Sequence, residues 1–357
     1  MADYVDRLKD LKQFDDSKTG VKGLLDSGLT SLPRFFIHPP ETLSDLKPSP
    51  AARHVSIPIV DLSATDDHRH AAVVDEVSRA AREFGFFQVV NHRIPPEVLD
   101  RTIGAVKAFH ELPPEIRSRF YRREMGTGVS YLSNVDLFRS KAASWRDTLQ
   151  VRLGPTPPAP GQLPEVCAGA VAEWDQEVVM LGGVLLDLVG EGLGLPAGRF
   201  REMTCLEGRT FVGHYYPDCP EPDRTVGLAT HADPGVLTVL LQDHVGGLQV
   251  KYGEVWVDVE PVPGALVVNI GDLLQIMSND EYKSVEHRVS VNTGPEPRVS
   301  IAVFFNPSDR ESLFGPLPEL ISPVKPAVYR EFKYLEFMQK FFARELDGKS
   351  LKNYFRL

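Results

Sequence analysis

Residues 227–242 read Gly-Leu-Ala-Thr-His-Ala-Asp-Pro-Gly-Val-Leu-Thr-Val-Leu-Leu-Gln, which is two short apolar runs joined by a proline-glycine turn. The runs 227–232 and 236–242 are typical of short β-strands. In an extended chain the side chains at positions i and i+2 project from the same face, so His231 and Asp233 are predicted to point the same way. This stretch therefore predicts both a β-rich core and the first two groups of a metal site.

The same pattern of short apolar runs and turns extends over the region that follows residue 205. Short strands alternate with turn signals every eight to twelve residues, a pattern typical of a sandwich or barrel. The predicted strands are 210–216, 227–232, 236–242, 248–250, 256–259, 265–270, 286–289 and 298–305. Eight strands suffice for a double-stranded β-helix, or jelly roll. We therefore predict a mainly β fold with helices, in which a jelly-roll core is flanked by amino-terminal and carboxy-terminal helices.

Three segments describe the predicted organisation of the chain. Residues 1–204 form a helical and strand region that packs on the core and does not fold independently, 205–307 form the jelly-roll core, and 308–357 form a carboxy-terminal extension and helix. A long apolar-striped helix over about 166–191 is predicted to serve the core only. The predicted helix over about 329–346 has two open interpretations, a lid over the barrel mouth or simple packing.

A third metal-binding group is needed beside His231 and Asp233. The candidate is His287, separated from Asp233 by 53 residues and next to an alternating apolar run. Two histidines and one carboxylate on one face of an iron form the constellation of non-heme Fe(II) oxygenases. Zinc accepts the same three ligands, so a zinc hydrolase with a metal-bound water is an alternative.

The predicted strand 298–305 separates two faces. Alternation places five residues on the lumen side: Arg298, Ser300, Ala302, Phe304 and Asn306. A guanidinium inside a barrel needs an anionic partner, because an unpaired buried charge is costly. We predict that Arg298 binds a ligand carboxylate with help from the Ser300 hydroxyl, and a surface arginine on an edge strand is the alternative. On the earlier strand, alternation groups Thr210, Val212, His214 and Tyr216.

Composition limits the partners. The formal net charge is −10 with a pI near 5.5, and the basic residues are scattered, so we expect no nucleic-acid partner. The three cysteines Cys167, Cys205 and Cys219 have no metal spacing and indicate free thiols in a reducing compartment. No secretory signal and no apolar run of membrane-spanning length are evident. We expect a cytoplasmic monomer that acts on a small molecule and has no membrane partner.

These motifs occur together in one order. A Tyr215-Tyr216-Pro217 strand precedes His231-x-Asp233, the distal His287 follows, and Arg298-x-Ser300 lies eleven residues on. The segments 57–62 (Ile-Pro-Ile-Val-Asp-Leu), 84–87 (Phe-Gly-Phe-Phe), 91–92 (Asn-His) and 304–307 (Phe-Phe-Asn-Pro) extend the pattern. The set resembles the plant soluble 2-oxoglutarate- and Fe(II)-dependent dioxygenases, which include flavonoid, gibberellin and alkaloid hydroxylases and aminocyclopropanecarboxylate oxidases. The segment 14–23 resembles the branch with grass benzoxazinoid-glucoside dioxygenases.

The resemblance implies a role for each motif residue. It implies that Fe(II) is held by His231, Asp233 and His287. It implies that 2-oxoglutarate is bound by Arg298 and Ser300, assisted by Tyr216 and His214. His214 is a departure, since the family usually has asparagine before Tyr-Tyr-Pro, although histidine can also donate a hydrogen bond.

The implied reaction is oxidation of a small plant specialised metabolite or hormone, with O2 as the second cosubstrate and ascorbate supporting activity. Hydroxylation is the default outcome, and O-demethylation and desaturation are variants. The sequence suggests a substrate pocket formed by Val212, Phe304, Asn306, Tyr131 and Phe138. A catalytically silent small-molecule-binding protein on the same fold is the alternative, which loss of any metal ligand would favour.

Overall fold

The computed structural model describes residues 2–44, 55–63, 69–123, 128–159, 161–343 and 351–357. Its helices are α1 Ala2–Ser17, α2 Gly20–Asp26, α3 Pro40–Ser44, α4 His70–Glu83, α5 Pro96–His110, α6 Pro114–Arg117, α7 Glu165–Gly192, α8 Arg199–Glu202, α9 Asp272–Met277 and α10 Tyr334–Ala343. Residues 344–346 of the helix predicted over 329–346 lie outside the described residues. None of the helices in the described ranges combines the length and apolar character needed to cross a bilayer.

The described residues contain fourteen strands. They are β1 Ile59–Asp61, β2 Phe86–Val90, β3 Val129–Leu132, β4 Asp147–Arg152, β5 Gly208–Tyr216, β6 Leu228–His231, β7 Leu237–Gln242, β8 Leu248–Tyr252, β9 Val255–Asp258, β10 Leu266–Ile270, β11 His287–Val289, β12 Arg298–Asn306, β13 Leu313–Phe314 and β14 Phe332–Lys333. Each of the eight strands predicted after residue 205 is present.

Two facing sheets form the jelly roll. The larger sheet has the order β1-β2-β10-β7-β12-β5-β4-β3, and the smaller has the order β6-β11-β8-β9. The eight strands β5 to β12 thus divide equally between the sheets, four in each. Strands β1 to β4 from the amino-terminal region extend both edges of the larger sheet. That residues 1–204 do not fold independently stays a prediction, and so do the three segment boundaries.

The main core lies on the outer face of the larger sheet, against α4, α5 and α7. The apolar face of β12, formed by Val299, Ile301, Val303 and Phe305, belongs to this core. A Cβ on Gly182 of α7 would lie 2.6 Å from the Phe305 ring, so glycine is what allows α7 to approach β12 this closely. The predicted alternation of β12 is therefore correct, and its polar face is left to the space between the sheets.

Residues 2–44, here called the amino-terminal arm, are attached to β4 by the buried carboxylate of Asp147. Asp147 accepts hydrogen bonds from the backbone N–H groups of Val21 (2.8 Å) and Lys22 (2.9 Å) and from the Ser133 hydroxyl (2.5 Å). Gly20 has φ +70°, and a Cβ there would lie 2.4 Å from an Asp147 carboxylate oxygen. The arm therefore packs on the body through a specific polar contact as well as through a separate aromatic cluster around Trp145.

Candidate functional site

Three potential metal ligands meet at one end of the smaller sheet. His231 ends β6 and His287 begins β11, and the antiparallel register places the two residues directly opposite each other. Their ring centroids are 4.2 Å apart. With Asp233 they form a group in which one ligand atom from each residue lies within 4.8 Å of the others, and among the described residues this is the one such group of three.

Asp233 does not lie on a regular strand, in contrast to the geometry assumed from the sequence. Strand β6 ends at His231, and the chain turns at Pro234-Gly235 before β7 begins. The carboxylate is instead positioned by two buried donors, Thr238 Oγ1 and Asn269 Nδ2, at 2.7 and 2.8 Å from Oδ2. The other oxygen, Oδ1, lies 3.7 Å from His231 Nε2 and 3.6 Å from His287 Nε2 and faces the space between the rings.

Backbone carbonyls fix which nitrogen of each histidine faces that space. His231 Nδ1 lies 2.9 Å from the Ala229 carbonyl oxygen, and His287 Nδ1 lies 3.4 Å from that of Val285. A carbonyl only accepts, so each Nδ1 carries the hydrogen and each Nε2 presents a lone pair, as in metal-bound histidines.

The electrostatics favour the ligand forms of these groups. Burial lowers the pKa of His231, and the neighbouring His287 lowers it further, so its ring is neutral. Burial acts to raise the pKa of Asp233, but the two histidines and the hydrogen bonds from Asn269 and Thr238 outweigh it and leave the pKa below the ordinary value. Two imidazoles and one carboxylate fit a divalent iron with open coordination positions.

A second site lies at the start of β12, around the buried guanidinium of Arg298. This side chain is 1% exposed. Its Nη1 donates to Ser300 Oγ and its Nη2 donates to Gln242 Oε1, both at 3.0 Å, and its guanidinium carbon lies 4.9 Å from the centre of the Tyr216 ring. Among the described residues no carboxylate forms an ion pair with it.

Three buried donors in this site have no acceptor. They are Arg298 Nε, Gln242 Nε2 and Tyr216 Oη. Unsatisfied donors around an unpaired buried cation are costly, and an anion with several acceptor oxygens would satisfy them. The residues therefore fit a ligand carboxylate. Gln242 was missed from the sequence, although β7 pairs with β12 and places Gln242 opposite Ser300.

His214 lies between the two strands that carry these polar groups. It is opposite Ser300 of β12 on one side and Thr148 of β4 on the other. Its Nδ1 lies 2.7 Å from Arg146 Nη1, and because arginine can only donate, the hydrogen of the neutral ring sits on Nε2. Burial, with Arg146 and Arg298 adding to it, holds the pKa of His214 well below its usual range. The ring can thus donate a hydrogen bond, as the usual asparagine would.

A cavity opens beside the three metal-ligand candidates. It encloses about 970 Å³, open solvent at its mouth included. Of the pocket residues predicted from the sequence, Val212, Phe304 and Asn306 line it. Tyr131 does not, because it is fully buried and its hydroxyl donates to the Thr19 carbonyl at 3.0 Å. Phe138 does not line it either, since its ring lies beside Arg123 and is 43% exposed.

Other segments that line the cavity were not predicted to do so. Strand β4 and the residue before it contribute Arg146, Thr148 and Gln150, and the loop after β3 contributes Val135. Alternation along this segment, which places Arg146, Thr148 and Gln150 on one face, was the signal for the first three. Helix α10 contributes Met338, Phe341 and Phe342 while Tyr334 and Phe337 pack in the core, so it both packs and covers the cavity.

Comparisons with known proteins agree with this geometry. The sequence model of the 2OG-Fe(II) oxygenase superfamily matches residues 208–307, and that of the non-haem dioxygenase in morphine synthesis N-terminal region matches residues 57–167. A protein of Arabidopsis thaliana named 1-aminocyclopropane-1-carboxylate oxidase homolog 1 is 45% identical over 97% of this chain and 95% of its own length. A probable 2-oxoacid dependent dioxygenase of the same plant is 42% identical over the full length of both.

Solved structures also resemble this chain over most of its length. A crystal structure of JOX2 in complex with 2OG, Fe and JA superposes with a TM-score of 0.83 at 33% identity, covering 95% of this chain and 97% of that one. The rice dioxygenase for auxin oxidation superposes with a TM-score of 0.70 at 27% identity, covering 85% of this chain and all of that one. These similarities confirm the predicted jelly-roll fold.

Proposed function

Because the chain belongs to the 2OG-Fe(II) oxygenase superfamily, we propose that it hydroxylates a small plant specialised metabolite or hormone. It is a 2-oxoglutarate-dependent dioxygenase that uses Fe(II). In the proposed reaction one oxygen atom of O2 enters the substrate as a hydroxyl group. The other enters succinate as 2-oxoglutarate loses carbon dioxide. O-demethylation and desaturation are related outcomes of the same site.

One observation carries the proposed assignment of residues. The three candidate ligand atoms converge within 4.8 Å, and the remaining polar atom of each group is hydrogen-bonded to the protein. We infer that His231, Asp233 and His287 hold the iron, which supplies the activation of O2 when it is bound. The hydrogen bonds from Thr238 and Asn269 keep the Asp233 carboxylate facing the two rings.

The buried donors around Arg298 support the assignment of the cosubstrate. We infer that Arg298 and Ser300 bind the distal carboxylate of 2-oxoglutarate, with the Tyr216 ring against the guanidinium and His214 opposite Ser300. A preorganised cation with fixed neighbours orients such a ligand without reorganisation at the moment of reaction. A zinc hydrolase would have no use for this second site.

The cavity walls support a small organic substrate. Val212 and Phe304 supply apolar surface near the metal group, and Met338, Phe341 and Phe342 of helix α10 add to it. The JOX2 structure contains JA together with 2OG and Fe, and the rice relative is named as a dioxygenase for auxin oxidation. These relatives favour a plant metabolite of modest size. The benzoxazinoid-related branch and the role of ascorbate stay predictions.

Succinate release is the direct test. The purified protein is loaded with Fe(II) and screened with 2-oxoglutarate against a plant metabolite library, with and without ascorbate. We expect succinate release that depends on one metabolite, on O2 and on Fe(II), and that Zn(II) does not support. Product mass then separates hydroxylation from demethylation and desaturation. A protein that neither binds 2-oxoglutarate by calorimetry nor releases succinate would contradict the proposal.

A further inference from the structure

A second buried arginine, Arg146, lines the cavity beside the metal group. The residue is 5% exposed and contributes to the same wall as His231 and Asp233. Its Nη1 donates to Thr148 Oγ1 at 3.1 Å and to His214 Nδ1 at 2.7 Å, and both partners are uncharged. Its Nε is buried without an acceptor. Among the described residues no carboxylate forms an ion pair with Arg146.

The adjacent carboxylate, Asp147, makes no ion pair with Arg146, because strand alternation points it the other way, and Asp147 and Asp136 act on the guanidinium only at longer range. Asp147 is directed at the amino-terminal arm, where it accepts from Val21, Lys22 and Ser133. The cavity side of the same strand shows Thr148 and Gln150. A buried cation with only neutral partners is costly, so the cavity wall lacks one negative charge that a bound molecule would supply.

Arg146 and Arg298 lie on opposite sides of the strand that carries His214. Arg146 hydrogen-bonds to His214 Nδ1, whereas Arg298 hydrogen-bonds to Ser300 and Gln242. Strand β5 lies between β4 and β12, so Arg146 and Arg298 are two strands apart, or about 10 Å between their backbones. Arg298 has its own set of donors, Ser300, Gln242 and Tyr216. Two buried cations two strands apart can accommodate two anionic groups, and the affinity of Arg146→Met for N-oxalylglycine separates a substrate carboxylate from the second carboxylate of 2-oxoglutarate.

We propose that Arg146 binds a carboxylate of the prime substrate, whose apolar body lies against Val212, Leu228, Phe304 and helix α10. This inference rests on the proposed function, and it narrows the substrate class to carboxylic acids with an apolar skeleton. A guanidinium suits this role because it binds a carboxylate with two parallel hydrogen bonds. Thr148 and Gln150 add neutral hydrogen-bonding groups along the same wall.

The test measures binding without turnover. The protein is loaded with Mn(II) and N-oxalylglycine, an inert analogue of 2-oxoglutarate, so that a probe acid cannot occupy the cosubstrate site. A panel of aryl and alicyclic carboxylic acids, beginning with 3-phenylpropanoate, is titrated by calorimetry against the matching primary amides. We expect at least one acid to bind about thirtyfold or more tightly than its amide, the loss expected when one member of a buried charge pair is removed.

Variants assign that preference to one side chain. Arg146→Met should bring the acid and its amide within threefold of each other, and Arg146→Lys should keep part of the preference. Arg152→Met is the matched control, because Arg152 lies on the same face of β4 about 20 Å further along and does not line this cavity. It should keep the full preference.

Each result supports or overturns the inference. It is wrong if no acid in the panel binds more tightly than its amide, or if the preference survives in Arg146→Met. A tenfold loss of N-oxalylglycine affinity in Arg146→Met would assign the residue to the cosubstrate and also overturn it. If Arg146→Met does not fold, the acid preference of the parent and its partial loss in Arg146→Lys still test the inference. Failure of the parent to bind N-oxalylglycine with Mn(II) would instead contradict the proposed function.

Discussion

Replacing Arg298 by alanine should weaken the binding of 2-oxoglutarate while leaving the metal group in place. The change removes a guanidinium that is 1% exposed, together with its bonds to Ser300 and Gln242 and its contact with the Tyr216 ring. Truncating one member of a buried charge pair costs about 2 to 5 kcal/mol. At about 1.4 kcal/mol per tenfold, the 2-oxoglutarate requirement should rise by roughly thirtyfold to several thousandfold.

The assay is a titration of 2-oxoglutarate at saturating Fe(II) and prime substrate, with succinate as the readout and calorimetry as an independent measure of binding. Ser300→Ala removes one neutral donor and should cost about 1 kcal/mol, or roughly fivefold. Because the ligand groups His231, Asp233 and His287 are untouched, both variants should bind Mn(II) as the parent does.

Asn306→Ala is the matched control, since Asn306 is the last residue of the strand that Arg298 begins. Its Oδ1 accepts from the Tyr334 hydroxyl at 3.0 Å, and it lines the cavity assigned to the prime substrate. The variant should keep its 2-oxoglutarate requirement within a few-fold of the parent and change substrate preference instead. If Asn306→Ala weakens 2-oxoglutarate as much as Arg298→Ala does, the division of β12 into a cosubstrate end and a substrate end is wrong.

Three further changes test separate parts of the structure. Asp233→Ala should abolish turnover and metal binding while circular dichroism shows a retained fold, and an active variant without an added carboxylate would refute the metal assignment. Asp147→Ala leaves two backbone donors and one hydroxyl unpaired, so unfolding in urea should show a loss of about 3 to 5 kcal/mol, and an unchanged midpoint would mean that the arm is held by its aromatic contacts alone. Burial raises the pKa of the thiols of Cys167, Cys205 and Cys219 to about 11 or 12, so we expect none of them to bind iron as a thiolate. Because each thiol is buried, replacing it by alanine should lower the melting temperature without loss of iron. A large loss of iron would show that a thiol is a ligand.

The sequence predicted the jelly roll well because its signals are local. Side-chain alternation and turn residues each depend on a few neighbouring positions. The predicted ends of the eight core strands therefore lie within a few residues of the observed ends. Asp233 shows where a local rule fails. Its side chain reaches the histidines from an irregular turn, held there by Thr238 and Asn269, and only the folded chain shows that these two donors are near.

The cavity walls could be predicted only in part, because they are assembled from distant segments. Alternation along β5 and β12 placed Val212 and Phe304 on the faces that carry the polar motif residues, and both line the cavity. Tyr131 was expected in the pocket, but β3 pairs with β4 there and turns the ring into the core. No periodicity in 334–342 distinguishes a helix that only packs from one whose far side also covers a cavity.

The neighbouring residues Arg146 and Asp147 show how one strand joins structure and function. Alternation directs Asp147 to the backbone of the amino-terminal arm and Arg146 to the cavity. A change that releases the arm therefore acts on the strand segment that positions the guanidinium, although none of the described residues before β1 lines the cavity. If Arg146 binds the prime substrate, Asp147→Asn should weaken prime-substrate binding more than 2-oxoglutarate binding. Because Arg298 lies on β12, two strands away, an equal loss of both ligands would indicate general loosening of the sheet instead.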